Sequence, residues 1–428
     1  MKNLNIEALL AIGIFIITYG LIISEKVHRT IVAMIGGGSI VLFGVVSQHA
    51  ALEHIDFNTL GLLIGMMIIV SITAETGVFK FIAIWSAKKV KGKPLHILLV
   101  LSIITAIGSA FLDNVTTVLL IVPITFSITR QLNVPPLPFL ISEILMSNIG
   151  GTATMIGDPP NIMIGSAVST LTFGKFITNL TPIIFVISMI IMALLMAIYR
   201  KQLIIDDQAR ERILELNEKD EINNVSLMIK SLSILFLTII GFFVHQLIGV
   251  ESATIALIAA FVLLLLSGER YLEKSLEKVE WTTIFFFVGL FVLVSGLEET
   301  GVIERIATYV INLTGGDLLA SSFLILWLSA IASAFVDNIP FVATMIPLIK
   351  QMGELGVQNL EPLWWSLSLG ACLGGNGTLI GASANLIVAG LAGKEGYKIS
   401  FIKFFLIGFP LMILSVLISM VYIYFRYL

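Results

Sequence analysis

The stretch Ser109-Ala110-Phe111-Leu112-Asp113-Asn114 occurs a second time as Ser333-Ala334-Phe335-Val336-Asp337-Asn338, and the two aspartates are 224 residues apart. Both copies continue through an apolar run to a proline, at Pro123 and Pro347, and seven of the fifteen aligned positions are identical. Each copy places a carboxylate and a carboxamide inside an otherwise apolar run. Because such a pair is costly in hydrocarbon, each should face the protein interior or a water-filled cavity, and both pairs are candidate functional sites.

The composition identifies a membrane protein. Hydrophobic residues make up 57% of the chain and charged residues 12%, with a mean hydropathy of +1.02, whereas soluble domains are roughly 45–50% apolar and about 25% charged. Most apolar runs approach the roughly 20 residues that a helix needs to cross a bilayer. They are continuous rather than alternating, which excludes a β-barrel. We therefore expect an all-α, multi-pass protein of the cell membrane.

The same composition excludes several other classes. The net charge is −3, and no basic tract indicates a nucleic-acid partner. The single cysteine, Cys372, rules out a disulfide framework. The five histidines show no metal-binding spacing, so we expect neither a resident metal nor a cofactor.

The offset of 224 residues holds far beyond the Asp-Asn stretches, which predicts an internal repeat. Matching pairs are Glu75-Thr76-Gly77-Val78 with Glu299-Thr300-Gly301-Val302, Gly150-Gly151 with Gly374-Gly375, Thr154 with Thr378, Gly157 with Gly381, and Asn161 with Asn385. The sequence therefore predicts a first repeat over residues 1–204, a cytoplasmic linker over 205–224 and a second repeat over 225–428.

The distribution of lysine predicts that the two repeats are inverted. The loop over residues 80–93 carries five lysines, as cytoplasmic loops do, whereas its counterpart over 304–317 is acidic. Matching loops on opposite sides require an odd number of crossings per repeat, and we count five, or about ten spanning helices. This count requires that the Asp-Asn stretches form re-entrant hairpins over 96–130 and 319–350. The alternative is two ordinary helix pairs with an aspartate in each loop.

Each predicted hairpin is followed by an apolar segment that glycine interrupts, over residues 138–168 and 363–392. The first contains Gly150-Gly151 and Pro159-Pro160, which remove side chains and backbone donors and should break the helix. Such glycines can simply serve close packing. Interrupted helices at matching positions of inverted repeats, however, mark the binding site of secondary transporters.

We predict a polar chamber where these elements meet. Its candidate substrate- and ion-binding residues are Asp113, Asn114, Thr117, Gly150, Gly151, Thr152, Thr154, Asp158, Asn161, Asp337, Asn338, Gly374, Gly375, Asn376, Thr378 and Asn385. H⁺ or Na⁺ is the expected coupling ion, and Na⁺ could bind at Asp113, Asn114, Asp337 and Asn338. No Arg or Lys lies within either motif, so the chamber should favour a cation or a neutral solute.

Four residues near the motifs are expected to have structural roles. Cys372 is expected to be a packing residue rather than an arsenic ligand. Glu75 and Glu299 are expected to be interface or hinge residues, and Asp56 and Glu280 to cap helices.

On these motifs the chain resembles the ion-transporter superfamily, in the branch of arsenite permeases, Na⁺/H⁺ antiporters and P-protein-like permeases, which have a citrate transporter-like domain. The closest likeness lies in Asp113-Asn114-Val115-Thr116-Thr117 and Gly157-Asp158-Pro159-Pro160-Asn161. The resemblance implies a scaffold domain and a transport domain that moves like an elevator within a homodimer. Dicarboxylate transporters of the superfamily have serine where Asp113 and Asp337 stand, which disfavours a dicarboxylate substrate.

Together these features predict a secondary active transporter of a small inorganic ion or metalloid, proton-coupled as in arsenite and antimonite efflux. The alternatives are a Na⁺/H⁺ antiporter and a Na⁺-coupled citrate or dicarboxylate transporter. An enzyme is not expected: an intramembrane aspartyl protease would need Gly-x-Gly-Asp, and Met155-Ile156-Gly157 precedes Asp158. A channel is a further alternative, which saturable flux driven uphill by a pH gradient would exclude.

Overall fold

The computed structural model describes residues 5–24, 26–203 and 207–428, with the side chains of all of these except 207–209. Helices are the only regular secondary structure in these ranges. The first half contains α1 (Ile6–Ser24), α2 (Arg29–Leu42), α3 (Gln48–Glu53), α4 (Phe57–Glu75), α5 (Val78–Lys89), α6 (Pro94–Leu112), α7 (Asn114–Leu132), α8 (Leu137–Gly151), α9 (Pro159–Ala167) and α10 (Phe173–Tyr199).

The polar segment between the halves contains α11 (Asp207–Leu214) and a 3₁₀ turn at Glu218–Glu221. The second half contains α12 (Val225–Val244), α13 (Ser252–Ser267), α14 (Arg270–Lys278), α15 (Trp281–Glu299), α16 (Val302–Thr314), α17 (Leu318–Phe335), α18 (Asn338–Glu354), α19 (Glu361–Gly374), α20 (Ser383–Lys394) and α21 (Phe401–Tyr427).

The helices of the two halves correspond to one another element by element. Helices α4 and α15 correspond residue for residue at the offset of 224, and each of the ten helices α1–α10 has a counterpart among α12–α21. Side-chain contacts repeat as well. The Ser109 hydroxyl donates to the carbonyl oxygen of Ser147 at 2.6 Å, and the equivalent Ser333 donates to that of Ala371 at 2.6 Å.

Both Asp-Asn stretches are the tips of helical hairpins. Only Asp113 separates α6 from α7, and Val336-Asp337 separates α17 from α18. Asp113 has a positive φ of 70°, which is uncommon for a residue other than glycine. Its carboxylate caps α7 by accepting from the Thr116 amide at 2.9 Å. The sharp turn therefore places a charged side chain at the tip of the first hairpin.

The hairpins open toward opposite faces, so the repeats are inverted. Helix α4, about 28 Å long by its residue count, joins these faces: its first turn lies near Ser166, and its last residue, Glu75, pairs with Lys274. The linker adjoins this second face, because Asn223 donates to the Glu75 carbonyl oxygen. The base of the first hairpin packs against α11 there. The second hairpin ends at Lys350, on the first face, in a cavity with Ser166.

The helices form two groups that each draw on both halves. In the scaffold group, α2 packs on α15 and α4 packs on α13, with α1 and α12 beside them. In the hairpin group, α6–α9 and α17–α20, helix α20 packs on α7 of the other half and α9 packs on α18. The second part of each broken helix thus lies against the hairpin of the opposite repeat, whereas the first parts, α8 and α19, pack on α6 and α17 of their own repeats.

Nine helices in the described ranges are long and apolar enough to cross a membrane: α1, α4, α6, α7, α10, α12, α15, α17 and α21. This set differs from the ten predicted spans. Helices α2 and α13 have only 14 and 16 residues, and the other two predicted spans are the broken helices. Three arms of the hairpins, α6, α7 and α17, are long and apolar enough to cross a membrane, but the hairpin tips lie in the protein interior.

Glycine permits the closest packing in the hairpin group. A Cβ on Gly150 of α8 would lie 2.1 Å from the carbonyl oxygen of Ala106 on α6. At the equivalent Gly374 of α19, a Cβ would lie 2.5 Å from the carbonyl oxygen of Ala330 on α17. These two glycines are therefore contact points between helix backbones.

Candidate functional site

The tips of the two hairpins meet at one buried carboxylate, Asp158. The Asn114 side-chain amide lies 3.4 Å from Asp158 Oδ1, and the Asn338 amide lies 3.3 Å from the same oxygen. Asp158 is fully buried, and both asparagines are only 3% exposed. One carboxylate is thus shared by donors from opposite halves of the chain.

Asp158 lies where the first broken helix restarts. Helix α8 ends at Gly151, the chain then runs without regular structure, and α9 begins at Pro159 directly after Asp158. The helix starts with two prolines, which have no N–H group, and the Asp158 side chain forms no cap hydrogen bond. The carboxylate instead faces the Asn114 and Asn338 amides. The equivalent residue in the second half is Ala382. The internal symmetry is therefore broken at this position, where only the first half has an acidic side chain.

The two breaks are held open by one asparagine each. The Asn161 amide donates to the carbonyl oxygens of Thr152 at 3.1 Å and Thr154 at 2.9 Å. The Asn385 amide donates to those of Gly375 at 2.7 Å and Thr378 at 2.9 Å. Backbone acceptors freed by the breaks are thereby satisfied inside the protein, as they must be at membrane depth.

The threonines of the breaks bind the neighbouring hairpin rather than the chamber. The Thr154 hydroxyl donates to the Ala110 carbonyl oxygen, and the Thr378 hydroxyl donates to that of Ala334 at 2.5 Å. Thr152 donates back to Asn148 within its own helix at 2.7 Å. These predicted site residues hold the chamber in shape.

Asn148 links the two broken helices, and the sequence analysis did not select it. Its amide donates to Asn385 Oδ1 at 2.9 Å and to Asn376 Oδ1 at 3.0 Å, while its Oδ1 accepts from Asn114 at 3.1 Å. It lies two residues before the predicted Gly150 within the same polar run, which is the signal that could have identified it.

Asp113 faces a small cavity together with Glu280. Besides the Thr116 amide, the Asp113 carboxylate accepts from the Thr116 hydroxyl at 2.6 Å. The cavity measures about 20 Å³, and Asn114, Asp158 and Asn338 also line it. That volume is close to the space that one water molecule occupies. A cavity of this size holds one water molecule or one small dehydrated ion.

Asp337 has a basic partner. Its carboxylate accepts from the Arg29 guanidinium and from the Ser383 hydroxyl, the latter at 2.8 Å. Arg29 begins α2, so the contact joins the scaffold group to the hairpin group. The sequence analysis did not select Arg29, which lies 308 residues before Asp337 in the chain. No Arg lies within the motifs, but one lies within the site.

Some predicted residues lie outside the chamber. Thr117 is buried against Gly108 on the other arm of its hairpin, and its hydroxyl has no partner in the part of the chain that the structure describes. Gly150 and Gly374 are backbone contact points, as described above. Gly151 and Gly375 lie against the carbonyl oxygens of Gly157 and Gly381 within their own breaks.

The residues with expected structural roles give mixed results. The Asp56 side chain caps α4 by accepting from the amides of Asn58 and Thr59. The Glu280 side chain accepts the Thr283 hydroxyl, but within the described residues it forms no cap hydrogen bond to a backbone amide. Glu280 instead lines the cavity with Asp113. Cys372 is fully buried, and its thiol lies 3.6 Å from Asn161 Oδ1.

Glu75 and Glu299 both contact the opposite half. Glu75 pairs with Lys274 at 2.7 Å, and Glu299 pairs with His54 at 3.0 Å. The contacts lie at the ends of α4 and α15, on opposite faces. Both glutamates therefore bridge the two repeats.

A further buried carboxyl, Glu143 of α8, lies away from the hairpin tips. The Thr125 hydroxyl donates to Glu143 Oε1 at 2.5 Å, and Oε2 has no partner among the described residues. The equivalent positions of the second half are Leu367 and Ile349. This pair is thus a second place where a polar group breaks the repeat.

Comparisons with known proteins place this architecture among transporters. Residues 19–370 match the family model described as "Citrate transporter". An uncharacterized transporter of Mycobacterium tuberculosis is 39% identical over 426 residues, which cover 98% of this chain and 99% of the relative. The P protein of Homo sapiens is 34% identical over 504 residues, covering 98% of this chain and 60% of that protein.

A solved structure shares the fold. The YdaH transporter of Alcanivorax borkumensis superposes with a TM-score of 0.61 at 13% identity, and the match covers 97% of each chain. At that identity the likeness concerns the fold alone.

Proposed function

Because the chain belongs to the citrate transporter family, we propose that it is a secondary active transporter that moves a small ion or metalloid across the cell membrane in exchange for protons. The observation that carries this proposal is the shared position of Asp158 between Asn114 and Asn338. A carboxylate held by amides from two inverted hairpins is suited to taking up and releasing a cation as the halves rearrange.

The charge of the site supports a cation or a neutral solute. Asp113, Asp158, Asp337 and Glu280 supply four carboxyl groups around the chamber, against the single guanidinium of Arg29. Since Arg29 already binds Asp337, no basic group in the described part of the site is left to clamp a carboxylate substrate. Neutral arsenite or antimonite, hydrogen-bonded by amides, fits this polarity better than citrate.

We propose that the hairpin group moves against the scaffold group, as the resemblance to elevator-type transporters implies. Both hairpins would then be re-entrant. Their tips at Asp113 and Asp337 are buried, as is required of polar groups at membrane depth, which must be covered by protein or line a water-filled cavity. A homodimer would anchor the scaffold groups during this motion.

A second candidate is Na⁺/H⁺ exchange. The chamber offers carboxylate and amide oxygens, the ligands that hard cations prefer, and the cavity of about 20 Å³ suits a single bare ion. Na⁺ would bind among Asp113, Asn114, Asp158 and Asn338 in this case.

The test is a flux screen in proteoliposomes with an imposed pH gradient. Arsenite, antimonite, Na⁺, citrate and succinate are offered in turn, and uphill movement of one of them is expected to depend on the gradient. Asp158→Asn, which keeps the volume but removes the charge, should abolish that dependence. Gradient-driven citrate uptake that persists in Asp158→Asn would contradict the proposal, and flux of Na⁺ alone would select the second candidate.

A further inference from the structure

The contact of Arg29 with Asp337 spans the boundary between the scaffold group and the hairpin group. The guanidinium binds the Asp337 carboxylate and donates to the Ser383 hydroxyl at 2.7 Å. It also lies 4.9 Å from the centre of the Phe286 ring on α15. The Arg29 side chain is 26% exposed, whereas that of Asp337 is 8% exposed. A buried acid at the tip of a hairpin is thus neutralised by a partly exposed scaffold residue.

Arg29 also stands between two cavities. On one side is the small chamber lined by Asp113, Asp158 and Glu280. On the other is a wider cavity of about 280 Å³, lined by Val27, Asp337 and apolar residues of α1, α17 and α20. Arg29 and Ser383 line both. The Arg29–Asp337–Ser383 cluster is therefore the wall between the wide cavity and the chamber.

The repeat shows that this contact is not a requirement of the fold. The residue equivalent to Arg29 in the second half is Ala253, and the residue equivalent to Asp337 is Asp113. Asp113 forms no ion pair within the described ranges, and Thr116 and the backbone satisfy its carboxylate instead. The first hairpin tip thus forms without a guanidinium. Folding of the tip therefore does not explain why Arg29 pairs with Asp337 at the second.

We propose that Arg29 is a tethered counter-cation that occupies Asp337 whenever no transported cation does. With Arg29 bound, the hairpin group is fastened to the scaffold and cannot cross empty. A proton or Na⁺ arriving from the wide cavity binds the Asp337 carboxylate. Arg29 keeps its own proton and turns toward that cavity, and the hairpin group is released. This inference rests on the proposed function, since it explains how empty return of the transporter is prevented.

Other charged groups around Asp337 affect whether Arg29 or an incoming cation binds its carboxylate. His28 lines the wide cavity next to Arg29, and Glu280, Asp113 and Asp158 line the chamber. The three carboxyl groups attract the incoming cation and Arg29 alike. Removing Arg29 leaves them without their counter-charge, so cations should bind Asp337 more readily.

The first test measures flux in proteoliposomes as a function of external proton and Na⁺ concentration. In Arg29→Gln the half-activating concentration of the coupling cation should fall about tenfold, the effect of removing one close opposite charge. Net flux without a counter-ion on the far side should appear, because nothing holds the empty hairpin group. Arg29→Lys should lie between Arg29→Gln and wild type. The exposed Lys26, three residues away, provides the matched control Lys26→Gln, which should behave as wild type.

A second test does not depend on knowing the substrate. Ile380 lines the wide cavity and can be replaced by cysteine, since the native Cys372 is buried. In sealed vesicles, an impermeant thiol reagent applied from the cavity side should label Ile380→Cys. Added protons or Na⁺ should slow that labelling relative to a free thiol at the same pH, since protonation alone slows the reaction of any thiol. With Arg29→Gln present, labelling should be slow at every cation concentration.

The two tests separate failure of this inference from failure of the proposed function. If wild-type protein carries none of the screened solutes but the labelling behaves as described, the function is wrong and the counter-cation stands. If Arg29→Gln keeps the half-activating concentration, the tight coupling and the labelling of wild type, the inference is overturned. In an Asp337→Asn background, Arg29→Gln should change nothing further, and an added effect there would also overturn it.

Discussion

Asn148 and Cys372 occupy equivalent positions in the two repeats, and each donates a hydrogen bond to the asparagine that holds open the break of the opposite repeat. Asn148 binds Asn385 at 2.9 Å, and Cys372 lies 3.6 Å from Asn161. The two broken helices are therefore joined by crossed contacts, one through a strong amide donor and one through a weak thiol donor.

This asymmetry predicts unequal costs of truncation. Asn148→Ala removes bonds to Asn114, Asn376 and Asn385 and leaves buried polar groups without partners, so it should lower the free energy of unfolding by about 3 kcal/mol. Cys372→Ala should cost about 1 kcal/mol, and Cys372→Ser should cost less. Thermal unfolding in detergent measures all three. Equal losses for Asn148→Ala and Cys372→Ala would contradict the crossed arrangement.

The two tip aspartates are predicted to be essential for coupling but not for folding. Asp113→Asn and Asp337→Asn, made separately, keep the side-chain volume and a hydrogen-bond acceptor at buried positions. Each should abolish flux driven by a pH gradient in proteoliposomes while the protein inserts and purifies as wild type. The exposed Asp317, which caps α17, supplies the control Asp317→Asn. Normal coupled flux in both tip variants would remove these residues from the site.

The close packing of α6 on α8 predicts that an alanine at Gly150 destabilises the protein, whereas one at Gly390 of α20 does not. The added Cβ of Gly150→Ala would meet the Ala106 carbonyl oxygen, and separating the helices should cost about 2 kcal/mol or more. Gly390 of α20 has nothing within 4 Å of its Cβ position. Gly390→Ala should therefore be neutral, or stabilise the helix by up to about 1 kcal/mol. Unfolding temperatures compare the two variants, and similar values would show that the close contact does not form.

The second repeat offers a natural replacement for the buried Glu143 and Thr125 pair. The double variant Thr125→Ile, Glu143→Leu copies Ile349 and Leu367, both fully buried in equivalent positions. Removing a carboxyl oxygen that lacks a partner should raise the free energy of unfolding by about 1–3 kcal/mol. Denaturation in detergent provides the measurement, with Glu143→Leu alone expected to gain less because the Thr125 hydroxyl loses its acceptor. A less stable double variant would show that Glu143 has a structural role.

Much of the fold could be predicted because its signals are local or repeat at a constant spacing. Hydropathy identifies helices, and the offset of 224 residues aligns α4 with α15 and each hairpin with its counterpart. Glycine pairs and Pro159-Pro160 identify the broken helices because they act on their own backbone. Helix α2 ends at Leu42 although apolar residues continue beyond it, so hydropathy alone does not locate its end.

The partners of charged residues were harder to predict. Glu280 precedes α15 as Asp56 precedes α4, yet of the two side chains only that of Asp56 accepts from the backbone amides of its helix. Arg29 follows a charged loop segment, and nothing in that segment indicates contact with a hairpin tip. Asn148 could be predicted only by treating the polar residues just before Gly150 as site candidates along with the glycines.

The sequence by itself determined that this is a helical membrane protein of two inverted halves, each with an Asp-Asn hairpin and an interrupted helix. These properties follow from hydropathy, glycine and proline placement and a constant repeat spacing, all of which act along the chain. Only the tertiary structure decided that each hairpin packs on the broken helix of the other half, that Asp158 is shared by Asn114 and Asn338, and that Arg29 neutralises Asp337. Those choices depend on how two helix groups fit together in space, because a buried charge is stabilised by whichever partner the packing brings within hydrogen-bonding distance, regardless of its place in the chain.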